Sequence, residues 1–113
     1  MKKHFKLSAS QILPLAPGRG GAVASDRITV DGRPVGYMYR TQPRNATDSG
    51  WTFLAGDEND EDLARPEKAE VFDINTIANY DRDIIPFLDA SVGSAFIRTE
   101  RGFVLDPGGA PPE

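Results

Sequence analysis

The sequence shows no long amphipathic helix pattern, and this excludes most folds in which helices form the framework. Short apolar segments with strand-like alternation predominate instead, and residues that favour turns separate them. A parallel doubly wound sheet needs a crossover helix between its strands, so that architecture is disfavoured. We predict an α+β domain, in which one or two short helices pack on one face of a mostly antiparallel sheet.

The strands are predicted from alternation and from the turn residues between them. A first hairpin is expected to pair residues 28–30 with residues 34–40 around a tight Asp31-Gly32 turn. Its second arm alternates, so that Tyr37 and Tyr39 share one face. Further strands are predicted at 51–55, 70–74, 94–98 and 103–105, and the last two form a closing hairpin.

Short helical pieces are predicted between the strands. Asp73 or Asn75 is suited to cap a helix that runs to Tyr80, and single helical turns are predicted within 63–68 and 83–89. Asn75 and Asn79 are four residues apart and would share one face of that helix. Two roles remain open for their amides: fixing a nearby loop through its backbone, or recognising the backbone of a partner.

The chain divides into three parts by composition. Residues 1–21 are predicted to be a flexible basic arm, which starts with lysines and ends in prolines and glycines. Residues 22–105 are predicted to form a single α+β domain, and residues 106–113 a flexible tail rich in proline and glycine.

Charge is distributed unevenly along the chain. The net charge is −4, but residues 56–89 contain eleven acidic and three basic residues, so the rest of the chain is basic overall. A domain this acidic repels phosphates, which argues against a nucleic acid partner. It attracts a basic protein and accelerates the encounter with it.

The sequence also limits location and chemistry. It has no cysteine and no apolar run of the ~20 residues that span a bilayer, so we predict a cytoplasmic protein without membrane association. His4, the only histidine, lies in the predicted arm, where a catalytic triad could not hold it rigidly. We predict no enzymatic activity, no metal ligands and no cofactor. Two alternatives remain open: a small metal-binding domain or enzyme that uses the carboxylates of 57–62, and an accessory or regulatory domain.

Four segments resemble the immunity protein 33 family. They are VGYMYR at 35–40, DSGWTFLAGDE at 48–58, NTIANYD at 75–81 and VGSAF at 92–96. They occur in the family's order, and the resemblance covers about residues 22–98. It implies a bacterial protein that binds and neutralises a cognate toxin, and it supplies no catalytic residues.

Together, charge and resemblance lead to a predicted partner-binding site. Aromatic side chains beside an acidic rim suit a protein interface, because they bury much area with few torsions. Trp51 is assigned to the scaffold. The site is expected to use four steering carboxylates and two tyrosine anchors: Asp57, Glu58, Asp60, Glu61, Tyr39 and Tyr80.

Overall fold

The computed structural model describes residues 3–111 and shows one six-stranded sheet with short helices. The first two residues of the predicted arm and the last two of the predicted tail lie outside this range. The strands are β1 Gly21–Ser25, β2 Tyr37–Arg40, β3 Asp48–Leu54, β4 Ala69–Asp73, β5 Ala95–Thr99 and β6 Gly102–Leu105. The helices are α1 Asp26–Thr29, α2 Asp60–Ala64 and α3 Ile74–Tyr80, with 3₁₀ turns at Ala9–Gln11, Pro66–Lys68 and Arg82–Phe87.

The strands lie side by side in the order β4-β1-β3-β2-β5-β6. Neighbouring strands are antiparallel except for β1 and β3, which run parallel. β4 and β6 therefore form the two edges. The predicted fold class, a mostly antiparallel sheet with a few short helices, is confirmed.

The hydrophobic core lies between one face of the sheet and helix α3. Trp51 and Phe53 alternate on β3 and are buried on this face, and their rings stack with centroids 6.0 Å apart. Ile77 of α3 is fully buried in the same cluster. We call this side of the sheet the covered face. The burial of Trp51 agrees with its assignment to the scaffold.

The predicted first hairpin is wrong. Residues 26–29 form helix α1, because the Ser25 hydroxyl accepts a hydrogen bond from the Arg27 amide and caps a helix at that point. This cap outweighs the strand preference of Ile28 and Thr29. Gly32, at φ +79°, ends the helical segment and does not form a hairpin turn: its amide bonds back to the Ile28 carbonyl at 3.1 Å.

The other predicted elements are confirmed, with shifted bounds. The strands expected at 51–55 and 70–74 are β3 and β4, and the closing hairpin is β5 with β6. Helix α3 begins after Asp73, whose carboxylate accepts from the Asn75 amide at 2.8 Å. The helical turns expected within 63–68 and 83–89 correspond to the end of α2 with its 3₁₀ turn and to the turn Arg82–Phe87.

Helix α3 holds the segment that precedes β1. The Asn75 side-chain oxygen accepts from the amides of Leu15 and Ala16, both at 2.8 Å. The side-chain amides of Asn75 and Asn79 both donate to the Leu13 carbonyl, at 2.9 and 2.8 Å. Of the two roles left open for these asparagines, the structure shows the fixing of a loop. Flexibility of residues 1–21 stays a prediction, and these are contacts that detachment would have to break.

We expect Asn75→Ala to loosen this segment, because it removes the acceptor of two backbone amides. Hydrogen exchange at Leu15 and Ala16 should accelerate, and the free energy of unfolding should fall by about 1 kcal/mol. Asn45→Ala is the matched control, since the Asn45 side chain bonds only to Thr47 within its own loop. Unchanged exchange at both amides would contradict the assignment.

Candidate partner-binding surface

The sheet face opposite the core presents apolar and aromatic side chains to solvent. Side chains alternate along a strand, so the residues between the buried ones point away from the core. Antiparallel sheets usually carry polar residues on such a face. Here no central position carries a charge. We call this surface the open face and define it by Val23, Tyr37, Tyr39, Thr52, Leu54, Val71, Ile97 and Val104.

The strand register arranges these residues in two rows across the sheet. In the first row Val71 is opposite Val23, Val23 opposite Thr52, and Thr52 opposite Tyr39. In the second, Leu54 pairs with Tyr37, Tyr37 with Ile97, and Ile97 with Val104. The two rows together reach all six strands, from one edge of the sheet to the other.

The two tyrosines of β2 form the centre of the open face. Their ring centroids are 5.5 Å apart, and both side chains are half-buried. Burial raises the pKa of Tyr37, and the nearby Asp106 carboxylate and Tyr39 raise it further. The Tyr37 hydroxyl therefore remains neutral at physiological pH and can donate a hydrogen bond to a partner.

Tyr80, the second predicted anchor, lies in the helix layer on the other side of the sheet. Its hydroxyl accepts from the Leu7 amide and donates to the Thr29 carbonyl, both at 3.1 Å. It packs against the core and ties the N-terminal segment to α1. The structure therefore separates the two predicted anchors, and only Tyr39 lies on the open face.

The acidic residues cross one end of the sheet, between the end of β3 and the start of β4. Several of them are paired with arginines from other parts of the chain. Asp57 forms an ion pair with Arg33 and lies 3.8 Å from Arg27. Asp62 accepts from Arg27 at 2.6 Å, which lowers the pKa of its carboxyl group. These pairs cancel much of the charge that the sequence concentrates there.

Glu58 shapes the loop that follows β3. Its two carboxylate oxygens accept from the backbone amides of Ala55 and Gly56, at 2.8 and 2.9 Å. Burial alone would raise the pKa of Glu58, but hydrogen bonds from Ser25 and from these amides outweigh it, so the pKa is lowered. Glu58 thus acts in the structure as a clamp on its own loop.

Asp60 and Glu61, two further predicted steering residues, are exposed at the start of α2. Glu61 makes one exposed ion pair with Arg65 at 2.7 Å, a kind of pair that contributes little to stability. The Asp60 carboxylate makes no hydrogen bond or ion pair with any of residues 3–111. Within that range no three histidine or carboxylate side chains are grouped to hold a metal ion.

A depression of about 540 Å³ adjoins the open face. It lies at the end of the sheet opposite residues 57–62, which we call the acidic loop. Tyr39 and Thr52 form its inner wall, and residues 41–44 with Pro111 form its rim. The open face as a whole was not predicted, although the alternation of Tyr37 and Tyr39 indicated part of it.

The lowered pKa of Glu58 predicts sensitivity to acid. Its carboxylate stabilises the fold above the ordinary glutamate pKa of 4.5, and that stabilisation is lost as the pH falls through the lower folded value. Glu58→Gln should therefore reduce the fall in stability between pH 7 and pH 3, as measured by urea unfolding. Glu100→Gln, at an exposed position, serves as the control. Equal pH profiles for the wild type and Glu58→Gln would show that the clamp contributes nothing.

None of the helices in the described part of the chain is long and apolar enough to cross a membrane. No curated protein and no solved structure matches the chain. The model of one protein family, the immunity protein Imm33 domain, matches residues 22–106. This range contains all six residues predicted for the site and all eight residues that define the open face. The chain therefore belongs to the immunity protein Imm33 domain family.

Proposed function

We propose that this chain is an immunity protein that binds a cognate protein toxin through the open face and neutralises it by covering the toxin's surface. It would do so in the cytoplasm of the cell that makes both proteins. The observation that carries the proposal is an uncharged, partly exposed sheet face in a member of an immunity family. Exposed apolar surface of this kind is typical of protein interaction sites.

The open face alone is too small for a stable complex. Six strands ~4.8 Å apart give a width of about 24 Å, and strands of four to seven residues, five on average, give a mean length of about 16.5 Å. The resulting area, about 400 Å², is about half of the ~800 Å² that each partner buries in a standard interface. The margins of the face must therefore contribute, namely the depression beside Tyr39 at one end and the acidic loop at the other.

Each predicted site residue then has a role in this proposal. Tyr39 is an anchor at the centre of the interface, and Tyr37 takes the place of Tyr80 as the second anchor. Asp60 and Glu61 attract a basic toxin surface, because both are exposed, Asp60 has no ion pair among residues 3–111, and the one ion pair of Glu61 is exposed to solvent. Asp57 and Glu58 support this function indirectly, since their contacts hold the loop in position.

The toxin can be identified by a growth experiment. Each reading frame adjacent to this gene in the native genome is expressed from an inducible promoter, with and without this chain. We expect one neighbour to arrest growth alone and to be harmless in the presence of this chain, and the two purified proteins to bind directly. If no neighbour is toxic, or if the chain neither rescues growth nor binds, the proposal is contradicted.

Truncation of the central anchor should weaken the complex. We expect Tyr39→Ala to cost about 2 kcal/mol of binding free energy, roughly a thirtyfold increase in Kd, measured by calorimetry with that toxin. Tyr80→Phe is the control, because it removes a hydroxyl that serves the fold and leaves the open face unchanged. It should lower thermal stability and leave Kd unaltered. If Tyr80→Phe raised Kd and Tyr39→Ala left it unaltered, the interface would lie in the helix layer.

Charge reversal at Asp60 should slow association with the toxin and flatten its dependence on salt, since a steering charge acts mainly on the association rate. Stopped-flow measurements at several salt concentrations would compare Asp60→Lys with Asp31→Lys. Asp31→Lys is the control, because it makes the same change of charge at an exposed residue just after α1. Equal effects of the two substitutions would mean that only net charge matters and that the acidic loop lies outside the interface.

A further inference from the structure

The outer edge of β4 presents backbone groups without partners. The amide of Ile74 bonds to the Gly20 carbonyl at 2.9 Å, which fixes the alternation of the antiparallel β1–β4 ladder. By that alternation Phe72 and Glu70 bond inward to β1, while Val71 points its N–H and C=O away from the sheet. Neither of these two groups has a backbone partner among residues 3–111.

The only protection that β4 carries against strand pairing is acidic charge. Edge strands are commonly guarded by charged side chains, especially lysine, by proline or by a bulge. β4 contains neither proline nor lysine, its pairing with β1 runs without a shift in register, and its two charged residues, Glu70 and Asp73, are both acidic. Val71 at its centre is 74% exposed, the highest exposure of any large apolar side chain in the described chain.

The surroundings of β4 are strongly acidic. Residues 57–73 contain eight acidic and two basic residues, a net charge of −6. Three cations from elsewhere compensate half of this charge: Lys3, 3.2 Å from Glu70, and the two arginines that pair with Asp57 and Asp62. The remaining negative charge selects a basic occupant.

We propose that β4 accepts an extended segment of a protein partner as a seventh strand. In that segment an apolar residue lies beside Val71, and lysines or arginines flank it. Main-chain hydrogen bonds to Val71 supply the attachment, and the acidic surroundings supply the selectivity. The inference rests on the proposed function in that the partner is a protein, and it adds the chemistry of the segment that the partner contributes.

The other edge and a second copy of the chain fit these observations less well. β6 is also an unpaired edge, but the charges beside it, Glu100, Arg101 and Asp106, are mixed and select no class of partner. Two copies joined through β4 would bring two acidic segments together, and like charges oppose such pairing. A basic strand at β4 meets complementary charge and avoids the repulsion between two acidic copies.

The test uses two synthetic ten-residue peptides with the full-length protein. One alternates valine with lysine, and the other alternates valine with glutamate. We expect the basic peptide, followed by NMR, to shift the Val71 amide resonance and to slow its hydrogen exchange, while the acidic peptide does neither. Binding of both peptides, or binding of the basic peptide without protection of Val71, would overturn the proposal.

Two variants assign the effect to the edge. Val71→Pro removes the outward N–H and leaves the β1 ladder intact, since edge strands tolerate proline at such positions. It should weaken binding of the basic peptide at least tenfold. Leu105→Pro is the matched change on β6, where the Asp106–Ala95 bond likewise turns the Leu105 amide outward, and it should have no effect. If Val71→Pro unfolds the chain, Val71→Lys replaces it, with the same loss expected from charge repulsion.

Two further outcomes are decisive. Protection of the Val71 amide without peptide, together with a dimer in sedimentation, would assign the edge to a second copy and overturn the proposal. A toxin that binds this chain while the basic peptide fails to protect Val71 would overturn the edge inference and leave the proposed function standing. If the basic peptide binds at β4 but no neighbouring gene encodes a toxin, the edge inference stands and the proposed function is contradicted.

Discussion

The burial of Trp51 and Phe53 in the hydrophobic core is the interaction on which the rest of the structure depends. It fixes which side of β3 faces the core, and the register of the sheet then fixes the orientation of every other strand. The open face follows directly from it, because Thr52 and Leu54 must point away once their neighbours point inward. The open face and the core are thus two results of one alternation.

The acidic charge that the sequence concentrates in residues 56–89 is partly neutralised in the folded protein by arginines from other segments. Residues 56–89 are strongly acidic, yet Asp57 and Asp62 lie against arginines from the segment between β1 and β2. The carboxylate of Glu58 accepts hydrogen bonds from the backbone of its own loop. Much of the acidic stretch therefore holds a long connection across the end of the sheet, and only part of its charge remains uncompensated at the surface.

The sequence predicted most of the strands and helix α3, because alternation and capping are local signals. It missed α1, where the cap at Ser25 overrode the strand preference of Ile28 and Thr29. It also did not reveal the hydrogen bond between Tyr80 and Leu7, because these residues are 73 positions apart and no local pattern indicates the contact. The alternation of Tyr37 and Tyr39 placed these two side chains on one face, but the open face as a whole needs the pairing of distant strands, which one sequence does not disclose.

The position of β1 has a consequence for how the chain folds. Both of its neighbours, β3 and β4, come later in the sequence, and so does the helix that holds the segment before it. β1 can therefore complete its contacts only after β4, which ends at Asp73, has been synthesised, and three of the five strand pairings join segments far apart in the sequence. Such topologies fold slowly compared with helical bundles of similar size. A nascent chain that ends before β4 would leave β1 paired on one side only and prone to aggregation.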